Sequence, residues 1–220
     1  MAMGFAGKPI SVEDLTSQVL TASKNGTLQS DLIAASRRRG MMAVRLSGLP
    51  SILQEVGAGY PVIIFENLAF NWFPRWHYAL VVGYDLEHED VVLHDGPTAY
   101  RHWGMRKFER SWKYSGYWGL VVLPPGELAV SADELTNSEA AAGLEESGRT
   151  EEAAVSYRQL LRRWPDSLVA LIGLGNIAYA RHAYRESASY LRQATKAHPE
   201  SKIASSNLET AERALEDSNP

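Results

Sequence analysis

His77 opens the apolar stretch Trp76-His77-Tyr78-Ala79-Leu80-Val81-Val82-Gly83-Tyr84-Asp85, and Asp95 follows in Val91-Val92-Leu93-His94-Asp95-Gly96-Pro97. An imidazole can take the proton of a thiol or hydroxyl near neutral pH, and a carboxylate on its far nitrogen fixes the tautomer. His77 and Asp95 are therefore candidates for the base and the orienter of a nucleophilic acyl-transfer site. The nucleophile is the gap. The 220 residues contain no cysteine, which excludes a thiol nucleophile, a disulfide and a thiolate metal site within them. No Gly-x-Ser-x-Gly elbow offers a serine in its place. A plainer reading stands beside this one: His77 as a half-buried strand-end histidine satisfied by backbone, and Asp95 as a turn residue before Gly96-Pro97.

Positioning such a pair is the work of a sheet. Met42–Leu46, Pro61–Glu66, Trp76–Tyr84, Val91–His94, Ala99–Trp103 and Tyr117–Leu123 read as strands. Short helices are expected over Leu49–Val56 and Met105–Trp112. Trp76–Tyr84 and Val91–His94 should form a hairpin turning near Leu86–Glu89. An ideal ladder with that turn leaves Asp95 short of His77, so strong twist or a bulge near Gly83 is required to join them. Two helices come before the sheet. Ser11 and Asp14 make a capping signal for the first, which Asn25-Gly26 ends. The second runs over Leu28–Arg39, with Arg37, Arg38 and Arg39 in its last turn and Gly40 beyond. Helices first and a largely antiparallel sheet second predict an α+β domain over residues 1–124.

Pro124-Pro125-Gly126 ends that pattern, and 125–133 reads as a linker. Composition changes there. Residues 1–124 hold 12 Lys+Arg and 11 Asp+Glu, a net of +1, whereas 125–220 hold 10 and 15, a net of −5. Of six tryptophans only Trp164 falls in the second part. From about Ser131 the chain is helical and repeats with a period of 34. Gly148, Ala153, Tyr157, Leu160 and Pro165 recur as His182, Ser187, Leu191, Ala194 and Pro199. This resembles the tetratricopeptide repeat, with Leu174-Gly175 and Pro199 at signature positions. Units over 134–167 and 168–201, with a closing helix to 220, are the expectation. The exchange of Gly148 for His182 predicts a different turn in the second unit.

The remaining chemistry-bearing residues do not gather. His94 and His102 lie across a turn, His88 falls in the hairpin loop, and no His-Glu-x-x-His element occurs, so neither a metal nor another cofactor is expected. Gly173-Leu174-Gly175 lies inside a repeat helix and makes no dinucleotide loop. A net charge of −4 gives no basic field for nucleic acid. No apolar run approaches the roughly 20 residues that span a bilayer. The N-terminal ten residues lack the features of a signal peptide.

Gly7-Lys8-Pro9-Ile10-Ser11-Val12-Glu13-Asp14-Leu15, the Leu28–Gly40 helix, Pro61-Val62-Ile63-Ile64, Trp76 to Asp85 and Asp95 also occur in a familiar order. Over most of residues 4–124 the chain resembles the papain-like cysteine peptidases of the bacteriocin-processing, double-glycine-leader family, in the bacterial branch fused to tetratricopeptide repeats. The resemblance implies peptide-bond hydrolysis, a peptide or protein substrate, and His77 and Asp95 as catalytic residues. It also implies a Cys-Gly-Pro nucleophile helix and an oxyanion-hole Gln, neither with a counterpart here. Met1-Ala2-Met3 resembles the last turn of that helix. Two expectations follow: the chain starts at an internal methionine, or its lineage has lost the nucleophile. The first accounts better for a chain that begins with the domain already under way. Relatives of this kind suggest the bacterial cell envelope; oligomeric state is not indicated. The rival expectation is a peptide- or protein-binding adaptor that acts through its repeats.

Overall fold

The computed structural model describes residues 1–21, 26–70 and 72–218. The expected turn at Asn25 lies outside them. The chain divides into two compact units: Met1–Pro124 with Ala129–Asp133, and Pro125–Leu128 with Glu134–Pro220. The stretch read from sequence as a linker is thus divided, its first four residues packing with the second unit and the rest with the first.

The first unit is α+β. A single turn, α1 (Ala2–Phe5), precedes α2 (Val12–Val19), whose N-cap Ser11 accepts a hydrogen bond from the Asp14 amide at 3.0 Å. A minimal ladder of β1 (Leu20–Thr21) and β2 (Gly26–Thr27) leads to α3 (Gln29–Arg38). Then come β3 (Met42–Ser47), α4 (Leu49–Gly57), β4 (Val62–Asn67), β5 (Trp76–Asp85), β6 (Asp90–Asp95), β7 (Thr98–Gly104), α5 (Met105–Trp112) and β8 (Trp118–Leu123). A 3₁₀ turn over Lys113–Ser115 joins the last two. The six longer strands form one sheet in the order β3-β8-β4-β5-β6-β7, with every neighbouring pair antiparallel.

Strand alternation divides the sheet's side chains between two faces. Ile63, Phe65, Tyr78, Leu120 and Val122 share one face and pack with Met3, Leu32 and Ile33 from the helices before the sheet. Val62, Ile64, Glu66 and Val81 share the other and are fully buried. On that side α5 supplies Phe108 and Trp112, both inaccessible, and the Trp112 indole N–H donates to the Trp118 carbonyl at 2.8 Å. At roughly 1.5–3 kcal/mol for each large apolar side chain removed from water, these two layers hold the sheet in one register.

The described residues of the second unit form five helices: α6 (Glu134–Glu146), α7 (Thr150–Arg163), α8 (Leu168–Ala180), α9 (Tyr184–Ala197) and α10 (Lys202–Asp217). Adding 34 to both bounds of α6 gives those of α8, and to those of α7 gives those of α9; α10 begins 34 residues after α8. Contacts need small residues at the crossings. A Cβ at Gly173 would fall 2.4 Å from the Tyr157 ring, and one at Gly175 2.7 Å from Leu191. The turn expected to differ does not. His182 adopts φ 60°, close to the 74° of Gly148, and its Nδ1 lies 2.7 Å from the Tyr184 hydroxyl, a local bond that helps hold a conformation strained for a side chain.

Candidate active site

His77 is placed by the hairpin between β4 and β5. Asn67, 2% exposed, closes its loop: the side-chain oxygen accepts from the amides of Ala69 at 3.0 Å and Arg75 at 2.8 Å. The Leu68 amide donates to the Arg75 carbonyl at 2.9 Å. The ladder then runs Asn67↔Trp76, Glu66↔His77, Phe65↔Tyr78. Glu66 and His77 are therefore direct cross-strand neighbours on one face, where facing Cβ atoms lie about 4.5–5.5 Å apart.

Asp95 reaches that face through a change of register. Near the hairpin tip β5 and β6 pair as Asp85↔Asp90, Tyr84↔Val91 and Gly83↔Val92. Continued without interruption, this would set Asp95 opposite Leu80, on the face away from His77. The register shifts between Val81 and Gly83 instead, leaving Val82 as the extra residue, and resumes as Val81↔Leu93 and Leu80↔His94. One pair further, Asp95 stands beside Ala79, two residues from His77 and on its face. A one-residue slip exchanges the faces of every later residue, so the bulge decides whether the two groups can meet.

They do meet. His77 Nε2 lies 2.7 Å from Asp95 Oδ1, with the side chains 29% and 11% exposed. Nε2 is buried, and the contact is close without the alignment of a directed hydrogen bond. The other Asp95 oxygen is bound by the Arg101 guanidinium from β7. Arg101 in turn sits over the Trp103 ring, 4.6 Å from its centroid. Among the described residues His77 Nδ1 has no protein partner, which leaves one imidazole nitrogen for a reactant.

Three further groups belong to this cluster and are not evident from the sequence. Arg101 neutralises Asp95. Glu66 has no solvent exposure, and burial raises its pKa to about 7 against the lowering effect of its bond to Ser111; nearby Asp95 adds to the rise and Arg101 opposes it. Ser111 Oγ on α5 lies 2.6 Å from Glu66 Oε2 and 2.8 Å from the Phe108 carbonyl. The available signal was slight: a charged residue ending the apolar run Val62-Ile63-Ile64-Phe65-Glu66, in step with inward-facing Val62 and Ile64. Ser111 does not touch His77 and is no substitute nucleophile.

The other histidines stay apart. His88 pairs with Asp85 at 2.7 Å, His102 approaches Asp90 at 3.4 Å, and the His94 ring packs tilted against Tyr100 with centroids 4.7 Å apart. Among the described residues no three His, Cys, Asp or Glu side chains are grouped to hold a metal ion, and no helix is long and apolar enough to cross a membrane. A cavity of about 350 Å³ in this unit is lined by Leu15, Leu32, Ile63, Tyr78, Leu80 and Val122 among others; it belongs to the opposite face, and neither His77 nor Asp95 lines it. The Tyr78 hydroxyl on that face donates to the Thr27 carbonyl at 3.1 Å, and burial pushes its pKa up to about 12.

No curated protein matches the chain. Solved structures similar to it include two that cover 56% of its length and 84% of their own. One is described as a C39-like peptidase from Bacillus anthracis, 20% identical with a TM-score of 0.46. The other is the peptidase domain of Streptococcus ComA, described as a bifunctional ABC transporter involved in quorum sensing, 16% identical with a TM-score of 0.43. The model of the Peptidase_C39 like family matches residues 1–119, more than half of the 220, and the chain belongs to that family.

Proposed function

We propose that the first unit is the base-bearing part of a cysteine-peptidase site, with His77 as general base and Asp95 as its orienter. The observation that carries this reading is the 2.7 Å contact between His77 Nε2 and Asp95 Oδ1, which leaves Nδ1 for the reacting group. Nδ1 would take the proton of a thiol as sulfur attacks the peptide carbonyl. The same proton would then pass to the leaving amine, and water would release the acyl group with His77 again as base. Asp95, held by Arg101, would keep the imidazole in the tautomer this requires. The substrate class is a peptide or protein.

The 220 residues contain no thiol, so the acyl-enzyme cannot form from them alone. The chain as given is expected to leave small-residue peptides uncut. Hydrolysis that persists in these 220 residues and disappears on His77→Ala would contradict the thiol assignment. In a form that carries an in-frame Cys-Gly-Pro about one helix before Gly4, His77→Ala should lower kcat/KM by roughly 10²–10⁴-fold. An unchanged rate there would remove His77 from the reaction.

A second reading has its own support in the 34-residue period of the helix bounds. The second unit would be a tetratricopeptide module, an acidic adaptor for a peptide or protein partner. Asn176 on α8 and Asn207 on α10 are joined by a 2.9 Å bond between side-chain amides, which sets polar groups on neighbouring helices. Binding that is lost on deleting 134–220 and indifferent to His77→Ala would favour this role over catalysis.

A further inference from the structure

Glu66 is unusual for a residue with no place in the chemistry above. It is a fully buried carboxyl, cross-strand from His77, in a pocket that already holds the Asp95 carboxylate. Among the described residues Arg101 is the cation that acts on Glu66, and its guanidinium is bound to Asp95. One of the Glu66 oxygens, Oε1, is buried without a partner. The other meets Ser111 Oγ, whose single hydroxyl proton has two acceptors within reach, Glu66 at 2.6 Å and the Phe108 carbonyl at 2.8 Å. A protonated Glu66 resolves this conflict: its own O–H bonds to Ser111, and Ser111 bonds to Phe108. An ionised Glu66 leaves the serine to divide one proton between two oxygens.

We propose that Glu66 is a positioning residue coupled to His77: near neutral pH it holds its proton more firmly while the imidazole is neutral and gives it up more readily when the imidazole carries one. No hydrogen bond joins the two side chains, so the coupling acts through the low-dielectric space between facing residues of β4 and β5. The groups able to oppose or assist it are few. Asp95 on β6 and Arg101 on β7 offset one another. Ser111 on α5 is neutral. In the 3₁₀ turn packed against β4, Lys113 lies over the Tyr114 ring, 5.2 Å from its centroid. The proton that leaves Glu66 goes to solvent, and the pocket is spared an imidazolium balanced only by an Asp95 already shared with Arg101. The burial that holds the carboxyl proton to about pH 7 places this exchange where a His-based reaction operates.

The proposal rests on His77 being the base, yet its test does not use hydrolysis. Imidazole ¹⁵N shifts of His77 are followed from pH 5 to 9 in the 220-residue chain and in Glu66→Gln. The wild-type curve should contain a second inflection from Glu66. In Glu66→Gln it should become a single step with its midpoint lower by roughly 0.5–1 pH unit. Superimposable curves would overturn the coupling. Coupling is reciprocal, so the Glu66 carboxyl ¹³C shift gives an independent check that does not need Glu66→Gln to fold. His77→Gln, at a partly exposed position, should move the Glu66 midpoint upward; an unmoved midpoint would also overturn the proposal. The coupling can thus fail while His77 remains essential to hydrolysis, and the catalytic assignment can fail while the coupling holds.

Discussion

At the scale of single residues, Glu66 makes a prediction about stability as well as about the site. Its carboxyl pKa rises from 4.5 to about 7 on folding, chiefly through burial. Between those values the folded state holds a proton that the unfolded state releases. Stability from this group is therefore complete below about pH 4.5 and is lost as pH rises through 7, a total of roughly 3 kcal/mol. Glu66→Gln removes the titration without changing the side chain's shape. Urea unfolding at pH 5 and pH 8 should show wild type losing stability relative to Glu66→Gln by that amount at the higher pH. A constant difference between the two proteins would mean that Glu66 is ionised throughout. The sequence placed this glutamate on a buried strand, but it did not indicate that His77 lay across the ladder or that Asp95 and Arg101 lay alongside.

At the scale of elements, α8 meets α7 and α9 through glycines. Gly173 faces the ring of Tyr157, which is 1% exposed and donates its hydroxyl proton to Glu145 at 2.8 Å. Burial and that carboxylate both raise the tyrosine pKa, so the ring stays neutral and fixed in place. Gly173→Ala would gain about 1 kcal/mol of helix propensity, but it drives a methyl into an immobile ring. Overpacking of this kind costs roughly 1–3 kcal/mol, and thermal unfolding should show a net loss. A rise in Tm would mean that α7 and α8 can separate without penalty. The 34-residue period marked these helices beforehand, but nothing in it set Gly173 against Tyr157. The hairpin of β5 and β6 was legible only in part. A bulge near Gly83 follows from the sequence; its position at Val82, and the exchange of faces it produces, are set by the fold.

At the scale of the whole molecule, the boundary between the units is not a single point. Pro124-Pro125-Gly126 ends the sheet, yet Ala129–Asp133 still packs with the first unit. Glu55, fully buried on α4, accepts from both the amide and the hydroxyl of Ser131, at 2.8 and 2.7 Å. A fragment ending at 124 would leave that oxygen buried without a donor, a loss of roughly 1–3 kcal/mol. Residues 1–133 should therefore unfold at a measurably higher urea concentration than residues 1–124. Equal midpoints would show that Glu55 finds water instead.

Local pattern determined much of this protein. Alternating apolar residues named the six strands of the main sheet, caps and charged last turns named the helices before it, and a 34-residue period named the helix pairs that follow. These features depend on neighbours along the chain, so one sequence suffices to read them. His77 and Asp95 could be chosen by residue type, because few side chains can perform that chemistry. Whether they shared a face was decided by tertiary structure, since a single extra residue at Val82 reverses the parity of the strand. Glu66 meets Ser111, and Ser131 meets one oxygen of Glu55, across long separations in sequence, where spacing carries no information; Arg101 lies near Asp95 in sequence, but it is the pairing of β6 with β7 that brings it to the carboxylate.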